Sequence, residues 1–186
     1  MDGGKTWLEN DIEVAKQPSG WTIDIEGVGR ANGLPFTEVN YAKGKDRGSI
    51  YVCWSDTRRG NHDIWIAKST DKGTTWGEPV RVNNDKGTAV QFFPAMTIDP
   101  KTGFIYVVFY DRREHTDTKT DVYLAVSTDA GKSFDNMRIS ESPFTPNPNS
   151  FFGDYNDISA VDGHIRPIWT RLEDGLLSVW TAIIDL

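Results

Sequence analysis

Short runs of apolar residues recur along this chain, and each run is closed by Gly, Pro, Asn or Asp. The runs that begin at Ile50 and Ile105 read "IYVCW" and "IYVVF", with β-branched and aromatic residues at successive positions. Such runs are typical of strands that are buried on both faces of a sheet. Long stretches free of turn-forming residues are rare, so the pattern predicts short strands and many turns rather than helices.

These strands belong to a sequence unit that repeats. The segment "GSIYVCWSD" from Gly48 matches "GFIYVVFYD" from Gly103 and, more weakly, "GHIRPIWTR" from Gly163. A second segment, "DIWIAKSTD", is followed 58 residues later by its counterpart "DVYLAVSTD", and "SVWTAIIDL" ends the third copy. Three divergent copies of one unit therefore cover nearly the whole chain.

Each unit contains four predicted strands. The two segments above form the second and third strands, and "PVRVN" from Pro79 and "MRISE" from Met137 form fourth strands. Four antiparallel strands repeated about every 60 residues are typical of the blades of a β-propeller. A β-sandwich is the alternative, but it does not explain the repeated turns. The first strands are expected at Val39–Tyr41, Ala95–Ile98 and Asp157–Ala160.

The third and fourth strands are joined by a recurring turn. It reads "STDKGTTW" at Ser69–Trp76 and "STDAGKSF" at Ser127–Phe134, and "MDGGKTW" at Met1–Trp7 is a partial copy. These segments resemble the Asp-box, or BNR repeat, S-x-D-x-G-x-[ST]-[WF], of sialidase-like β-propellers. The residues that match it are Asp2, Asp71, Gly73, Thr75, Trp76, Asp129, Gly131, Ser133 and Phe134.

The turn residues have a structural interpretation and a functional one. Asp71 and Asp129 are expected to accept backbone N–H groups within their turns, and the glycines permit positive φ. Alternatively, the two carboxylates would act as acid or base, or bind calcium. The structural interpretation is preferred because the turn recurs in every unit, whereas a catalytic site occurs once. The resemblance implies that these boxes lie on the face opposite the active site.

The opposite face is expected to carry the functional residues. Its loops contain Asp56 with Arg58, and Asp111 with Arg112 or Arg113, while Arg171 occupies the third unit. These pairs either stabilise the loops through charge-assisted hydrogen bonds or bind a ligand. Long irregular loops, such as "KQPSGWTIDIEGVGRANGLP" and "SPFTPNPNSFFGDYND", also belong to this face. Binding usually resides in such loops on a repetitive scaffold.

The segment "FFGDY", residues Phe151–Tyr155, resembles one in several sialidase-like propellers. Sialidase chemistry uses an arginine cluster, a tyrosine nucleophile with a glutamate partner, and an aspartate acid or base. The resemblance therefore nominates Asp154, Tyr155, Asp56 and Asp111 as catalytic candidates. The family's F/Y-R-I-P motif is absent, since "HIRPIW" has a different order. The ligand-binding candidates are Arg58, Arg112, Arg171, Tyr110 and Phe152.

The order of the strands predicts a partner chain. "WLENDIEVAK" from Trp7 is interpreted as a fourth strand, and the last unit ends at its third. The chain, residues 1–186, would then be one half-propeller of three blades, too few to close a ring. A homodimer would make a six-bladed ring, with each N-terminal strand completing the partner's last blade. A fragment of a longer propeller is the alternative.

Composition narrows the classes of partner. The net charge of -7 opposes nucleic acid and anionic membranes, and no apolar run approaches the ~20 residues of a membrane span. No metal or cofactor motif is present, and Cys53 is expected to be a buried apolar residue. The resemblance implies a secreted or periplasmic protein, although the N-terminus does not read as a signal peptide.

The function expected by resemblance is a sialidase-like propeller that binds carbohydrate, and any enzyme would be an exo-sialidase-like glycoside hydrolase. A non-catalytic protein-interaction propeller and an inactive fragment of a larger glycoside hydrolase-like propeller are the alternatives.

Overall fold

The structure, a computed structural model, describes residues 5–186, so the predicted turn residue Asp2 lies outside the described residues. The described chain is all-β, as predicted, and no helix within it could cross a membrane. Its strands are β1 (Thr22–Ile23), β2 (Ala31–Asn32), β3 (Phe36–Val39), β4 (Ile50–Asp56), β5 (Asp63–Ser69), β6 (Val80–Arg81), β7 (Gln91–Ile98), β8 (Ile105–Asp111), β9 (Asp121–Ser127), β10 (Asp135–Arg138), β11 (Asp157–Val161), β12 (His164–Glu173), β13 (Leu176–Thr181) and β14 (Ile184–Asp185).

Three four-stranded antiparallel sheets contain most of these strands. Sheet 1 has the order β3-β4-β5-β6, and sheet 2 has the order β7-β8-β9-β10. Sheet 3 has the order β11-β12-β13, and β14 also pairs with β12. In sheets 1 and 2, strands that are neighbours in sequence are neighbours in the sheet, which confirms the predicted unit of four antiparallel strands. The short strands β1 and β2 form a separate hairpin.

Several strand bounds differ from the predicted ones, including those of β6, β7 and β10. The first strand of sheet 1 ends at Val39, because the next residue, Asn40, forms a turn in which its Oδ1 accepts the N–H of Ala42 at 2.8 Å. The last predicted strand is divided into β13 and β14. The segment from Trp7, predicted as a strand, pairs with no sheet of the described chain, and within it Val14 packs against the first sheet.

Sheet 2 lies between the other two sheets. Every residue of β8 is buried, because alternate side chains enter two different cores. Ile105, Val107 and Phe109 pack with sheet 1, whereas Tyr106 and Val108 pack with sheet 3. Burial of each such side chain stabilises the fold by roughly 1.5–3 kcal/mol. The far face of sheet 3 is open.

Each sheet has two chemically different ends. Ile50 pairs with Ser69 at one end of sheet 1, and Asp56 pairs with Asp63 at the other. Seven residues at about 3.3 Å each separate these ends by about 20 Å. We call the end with the turns 69–76 and 127–134 the turn end. The loop end carries the 2–3 loops 57–62 and 112–120 and the longer segments 16–35 and 139–156.

Candidate functional site at the loop end

The carboxylate of Asp71 is engaged by its own turn. Its Oδ1 accepts the Ser69 hydroxyl at 2.8 Å and the Thr75 backbone N–H at 2.9 Å, and its Oδ2 accepts the Thr75 hydroxyl at 2.6 Å. These hydrogen bonds, that of the Thr75 hydroxyl first, lower the pKa of Asp71 to about 2. Gly73 holds a φ of 88°, which a residue with a Cβ rarely adopts. Asp71 is therefore ionised at neutral pH and has no proton to donate.

The second copy of the turn has the same bonds. Asp129 accepts the hydroxyls of Ser127 and Ser133 at 2.8 and 2.6 Å, and the backbone N–H of Ser133 at 3.0 Å. Desolvation acts to raise the pKa of Asp129, but the Ser133 and Ser127 hydrogen bonds outweigh it and lower the pKa to about 2. Both carboxylates are bonded within their own turns, so neither Asp71 nor Asp129 is available as a catalytic acid or base.

At the loop end, Asp56 is fully buried and bonded on both oxygens. Its Oδ2 accepts the Trp54 Nε1–H at 2.7 Å and lies 2.6 Å from the Arg58 Nη2. The guanidinium of Arg58 also lies over the Trp65 ring, 4.8 Å from its centroid. Of the two nominated residues, Asp56 is inaccessible and Arg58 is neutralised by it, so this pair stabilises the loop.

The equivalent carboxylate of sheet 2, Asp111, pairs with Arg113 rather than Arg112. The Arg113 Nη2 lies 2.7 Å from the Asp111 Oδ2, and Arg113 also donates to Asn84 and Asn136 at 2.8 and 2.9 Å. Burial raises the pKa of Asp111, while Arg113 acts to lower it. Asp111 is fully buried, so it too faces protein rather than solvent.

Four nominated ligand residues are buried in this structure, namely Arg112, Arg171, Tyr110 and Phe152. The Arg171 Nη2 donates to the Ser142 hydroxyl at 2.6 Å, and its guanidinium also contacts Glu173. The Tyr110 hydroxyl donates to the Thr170 carbonyl at 2.6 Å. Arg112 donates through Nε to the Thr120 hydroxyl at 3.1 Å, and burial lowers the pKa of its guanidinium. Phe152 packs against Tyr110 with ring centroids 5.3 Å apart.

Asp154 lies where two long loops meet. The Asn32 amide, on the β1–β2 hairpin, donates to the Asp154 Oδ1 at 3.1 Å and to its carbonyl at 3.0 Å. The Arg30 Nε lies 3.2 Å from the same Oδ1, and the guanidinium lies over the Phe151 ring, 5.6 Å from its centroid. These contacts fix the second loop against the hairpin.

Three exposed aromatic residues belong to the segments that meet at this contact. Phe151 and Tyr155 flank Asp154 in sequence, and the backbone carbonyl of Trp21 accepts the Gly33 N–H, one residue beyond Asn32, at 3.0 Å. All three rings are largely exposed. We define the loop junction as Trp21, Arg30, Phe151, Asp154 and Tyr155.

Of these five residues, only Asp154 and Tyr155 were candidate site residues from sequence alone. Trp21, Arg30 and Phe151 lie in the same long loops, and large aromatic residues within such polar segments are the pattern that points to them.

The loop junction combines ring faces with a carboxylate and a guanidinium. Ring faces pack against the C–H surfaces of a ligand, and the polar groups bond its hydroxyls, which is the usual division of roles in a ligand site. Among residues 5–186, no group of three or more His, Cys, Asp or Glu side chains is arranged to hold a metal ion. The arrangement suits a hydroxyl-rich organic ligand.

Comparison with known proteins shows the fold. The chain is similar to an α-L-arabinanase of Penicillium chrysogenum solved with arabinobiose, with a TM-score of 0.63 and 19% identity over 82% of this chain and 46% of that one. A GH93 α-L-arabinofuranosidase of Fusarium graminearum gives a TM-score of 0.59 and 14% identity, over 98% and 52% of the two chains. The Hadza microbial sialidase Hz136 gives a TM-score of 0.54 and 18% identity, over 78% of this chain and 34% of that one.

These likenesses support a sialidase-like β-propeller fold. The chain spans about half or less of the length of each of these three proteins. No protein-family model and no curated protein matches the chain.

Proposed function

We propose that this chain is a carbohydrate-binding, sialidase-like propeller and that the glycan binds at the loop junction. The observation that carries the proposal is that three exposed aromatic residues, Trp21, Phe151 and Tyr155, lie in the two loops that meet at Asp154. The Asp154 carboxylate is held there by Asn32 and Arg30. The similar structures are named as carbohydrate-active enzymes, which agrees with a sugar as the ligand. Exposed aromatic side chains with adjacent charged groups fit the mixed polarity of a sugar.

Binding without turnover fits the chemistry better than hydrolysis. Most glycoside hydrolases use two carboxyl groups that reach the same glycosidic bond, and sialidases use a tyrosine nucleophile together with carboxyl groups. Asp56 and Asp111 are buried and paired with Arg58 and Arg113, so only Asp154 of the four nominated catalytic residues presents an accessible carboxylate. We therefore propose a lectin-like role for the chain.

We also propose that the turns 69–76 and 127–134 are Asp-box repeats. The support is their shared bonding, in which a Ser hydroxyl, a backbone N–H and a Thr or Ser hydroxyl all bond one Asp carboxylate. The matching turns lie at the same end of sheets 1 and 2, about 20 Å from the loop junction's end of those sheets.

For the assembly, we propose a six-bladed ring made by two copies of this chain. The support is the unpaired edge strand β13 of sheet 3, where Leu176 and Val179 are exposed, together with exposed Trp7 and Leu8 in the segment that matches a fourth strand. An exposed apolar strand edge favours pairing with another strand. Light scattering should give the mass of a dimer, and a monomer at micromolar concentration would contradict the ring.

A glycan array tests the proposed function, alongside hydrolysis assays with a fluorogenic sialoside and an arabinofuranoside. We expect binding to neutral or sialylated glycans without hydrolysis. Phe151→Ala should lose this binding, whereas Tyr41→Ala, which removes an exposed ring at the turn end, should retain it. Equal loss in both variants, or a wild-type chain that binds no glycan, would contradict a glycan site at the loop junction.

A further inference from the structure

The loop between the first and second strands of sheet 1 departs from the repeat. It spans residues 41–48 and is closed by the Asn40 N–H, which donates to the Ser49 carbonyl at 2.9 Å. The corresponding loops are shorter, 100–103 in sheet 2 and 162–163 in sheet 3. All three lie at the turn end of their sheets. A tight hairpin needs only a few residues, so closing the hairpin does not explain the added ones.

A pocket of about 200 Å³ lies where this loop meets sheet 2, and we call it the hairpin pocket. Most of its lining comes from loop 41–48, joined by Thr102 and Gly103 of the sheet 2 hairpin and by Thr128 of the second turn. The two hairpins are in close contact, because a Cβ on Gly103 would lie 3.2 Å from the Ala42 Cβ. The volume is several times the about 30 Å³ that a water takes in the liquid, so a small polyatomic ion fits.

The charge of the hairpin pocket is positive. Lys43, Lys45 and Arg47 line it, and all three are exposed and form no ion pair within the described residues. Asp46 is the acid of the lining, and its Oδ1 accepts the Lys68 Nζ at 2.6 Å. Three cations thus face one carboxylate that is already neutralised, in a chain whose net charge is -7. An anion in the pocket would be attracted by this local excess.

A buried amide of the lining has an unused donor that solvent can reach. Asn40 is 4% exposed, and its Oδ1 accepts the Ala42 N–H at 2.8 Å. Its Nδ2 donates to no atom of the described chain, and it is not among the buried polar atoms sealed from solvent. The same Nδ2 would lie 3.2 Å from a Cβ on Gly103, across the pocket wall. Amide and ammonium N–H groups both donate, so the matching ligand is an acceptor.

The loop that carries these groups is ordered by its own backbone. The Gly48 N–H donates to the Asn40 carbonyl at 2.8 Å, and the Ser49 N–H donates to the Asp46 carbonyl at 3.1 Å. Gly48 holds a φ of 84°, which a residue with a Cβ rarely adopts. A site whose backbone is fixed before binding loses less conformational entropy when the ligand arrives.

We infer that the hairpin pocket binds one oxyanion group, a sulfate or a carboxylate, through Lys43, Lys45 and the Asn40 amide. This site goes beyond the proposed function, because it lies at the turn end and uses no residue of the loop junction. The proposed ring leaves it open, since the ring pairs β13 with the segment from Trp7 and neither contributes to the lining.

A double substitution, Lys43→Gln with Lys45→Gln, removes two charges of the pocket without touching a buried residue. The matched control is Lys72→Gln with Lys101→Gln, because both lysines are exposed at the turn end but lie outside the lining. The probes are inorganic sulfate, glucose 6-sulfate and glucuronic acid, with glucose as the uncharged probe. Titrations followed by NMR at constant ionic strength keep the screening of charges the same throughout.

We expect the anionic probes to shift the amide signals of Gly44 and Gly103, and glucose to leave them unchanged. The pocket variant should weaken anion binding about tenfold or more, while the control variant should bind as the wild type does. Tighter binding of glucose 6-sulfate than of inorganic sulfate would support a sugar-borne group as the ligand, and equal binding would support the ion itself.

Equal weakening in the two variants, or shifts spread over many surface amides, would overturn the site and leave only a general attraction of anions. Absence of any anion binding would overturn it as well. Phe151→Ala should keep anion binding at the hairpin pocket although it loses the glycan at the loop junction, so failure of one site is distinguishable from failure of the other.

Discussion

The turn end and the loop end of the same sheets use their carboxylates in opposite ways. At the turn end, Asp71 and Asp129 are exposed yet saturated by bonds from their own turns, which repeat from sheet 1 to sheet 2. At the loop end, Asp56 and Asp111 are buried with arginine partners. Asp154 instead bonds Arg30 and Asn32 of the β1–β2 hairpin, a contact that has no equivalent in sheets 1 and 2.

This difference separates scaffold from site. A residue arrangement that recurs from unit to unit has a structural role in each unit, namely to stabilise a turn or a loop. The loop junction occurs once, and it exposes rings that no neighbouring sheet covers. In a repetitive fold, the departures from the repeat are therefore the places to look for ligands.

The largest effect is expected from Asp56→Ala. Removal of the carboxylate leaves Arg58 and the Trp54 Nε1–H without their partner in a buried site, which should lower the free energy of unfolding by about 3–5 kcal/mol. Urea unfolding measures the loss. Asp56→Asn is the control, since it retains an acceptor for Trp54. A loss below about 1 kcal/mol would mean that the pair does not hold the loop.

A smaller effect is expected from Tyr110→Phe. The hydroxyl bonds both the carbonyl and the N–H of Thr170, so its loss should cost about 1–3 kcal/mol of unfolding free energy. Glycan affinity should stay the same, because the hydroxyl is buried and bonded to the Thr170 backbone, and the Phe ring keeps the packing against Phe152. Unchanged stability with lost binding would show instead that this hydroxyl reaches the ligand.

The smallest effect is expected from Asp71→Asn, and it should appear as a change in pH dependence. The pKa of Asp71 is about 2 in the fold against an ordinary 3.8, so its charge stabilises the turn above pH 3.8, and that stability is lost as the pH falls towards 2. The variant should lose less stability than the wild type over that range. Parallel curves in an acid-unfolding experiment would contradict the lowered pKa.

Much of the fold is predictable from sequence, for a physical reason. Runs such as "IYVCW" are apolar at successive positions, and the structure buries β8 completely between two sheets. The pairing of Asp111 with Arg113 also follows the alternation of side chains, which places residues two apart on one face and Arg112 on the other. From sequence alone, Arg112 and Arg113 were both candidate partners of Asp111.

The loop junction was only partly predictable. Asn32 and Asp154 are 122 residues apart, and no periodic pattern links the two loops that carry them. Their contact depends on how each loop packs over the sheets, with Ile23 and Ile25 of the hairpin entering the same core as Phe152. Local residue patterns cannot specify such a contact, since its cause is tertiary packing. The burial of Arg112 and Arg171 could not be predicted from sequence for the same reason.

A calorimetric titration of the best array glycan against two tyrosine variants tests the central claim most directly. Tyr155 and Tyr41 are 67% and 63% exposed, so their substitution by Ala removes similar ring surface from the loop end and the turn end. We predict that Tyr155→Ala weakens binding about tenfold or more and that Tyr41→Ala leaves the affinity unchanged. Equal affinity in wild type and Tyr155→Ala would contradict the placement of the glycan at the loop junction.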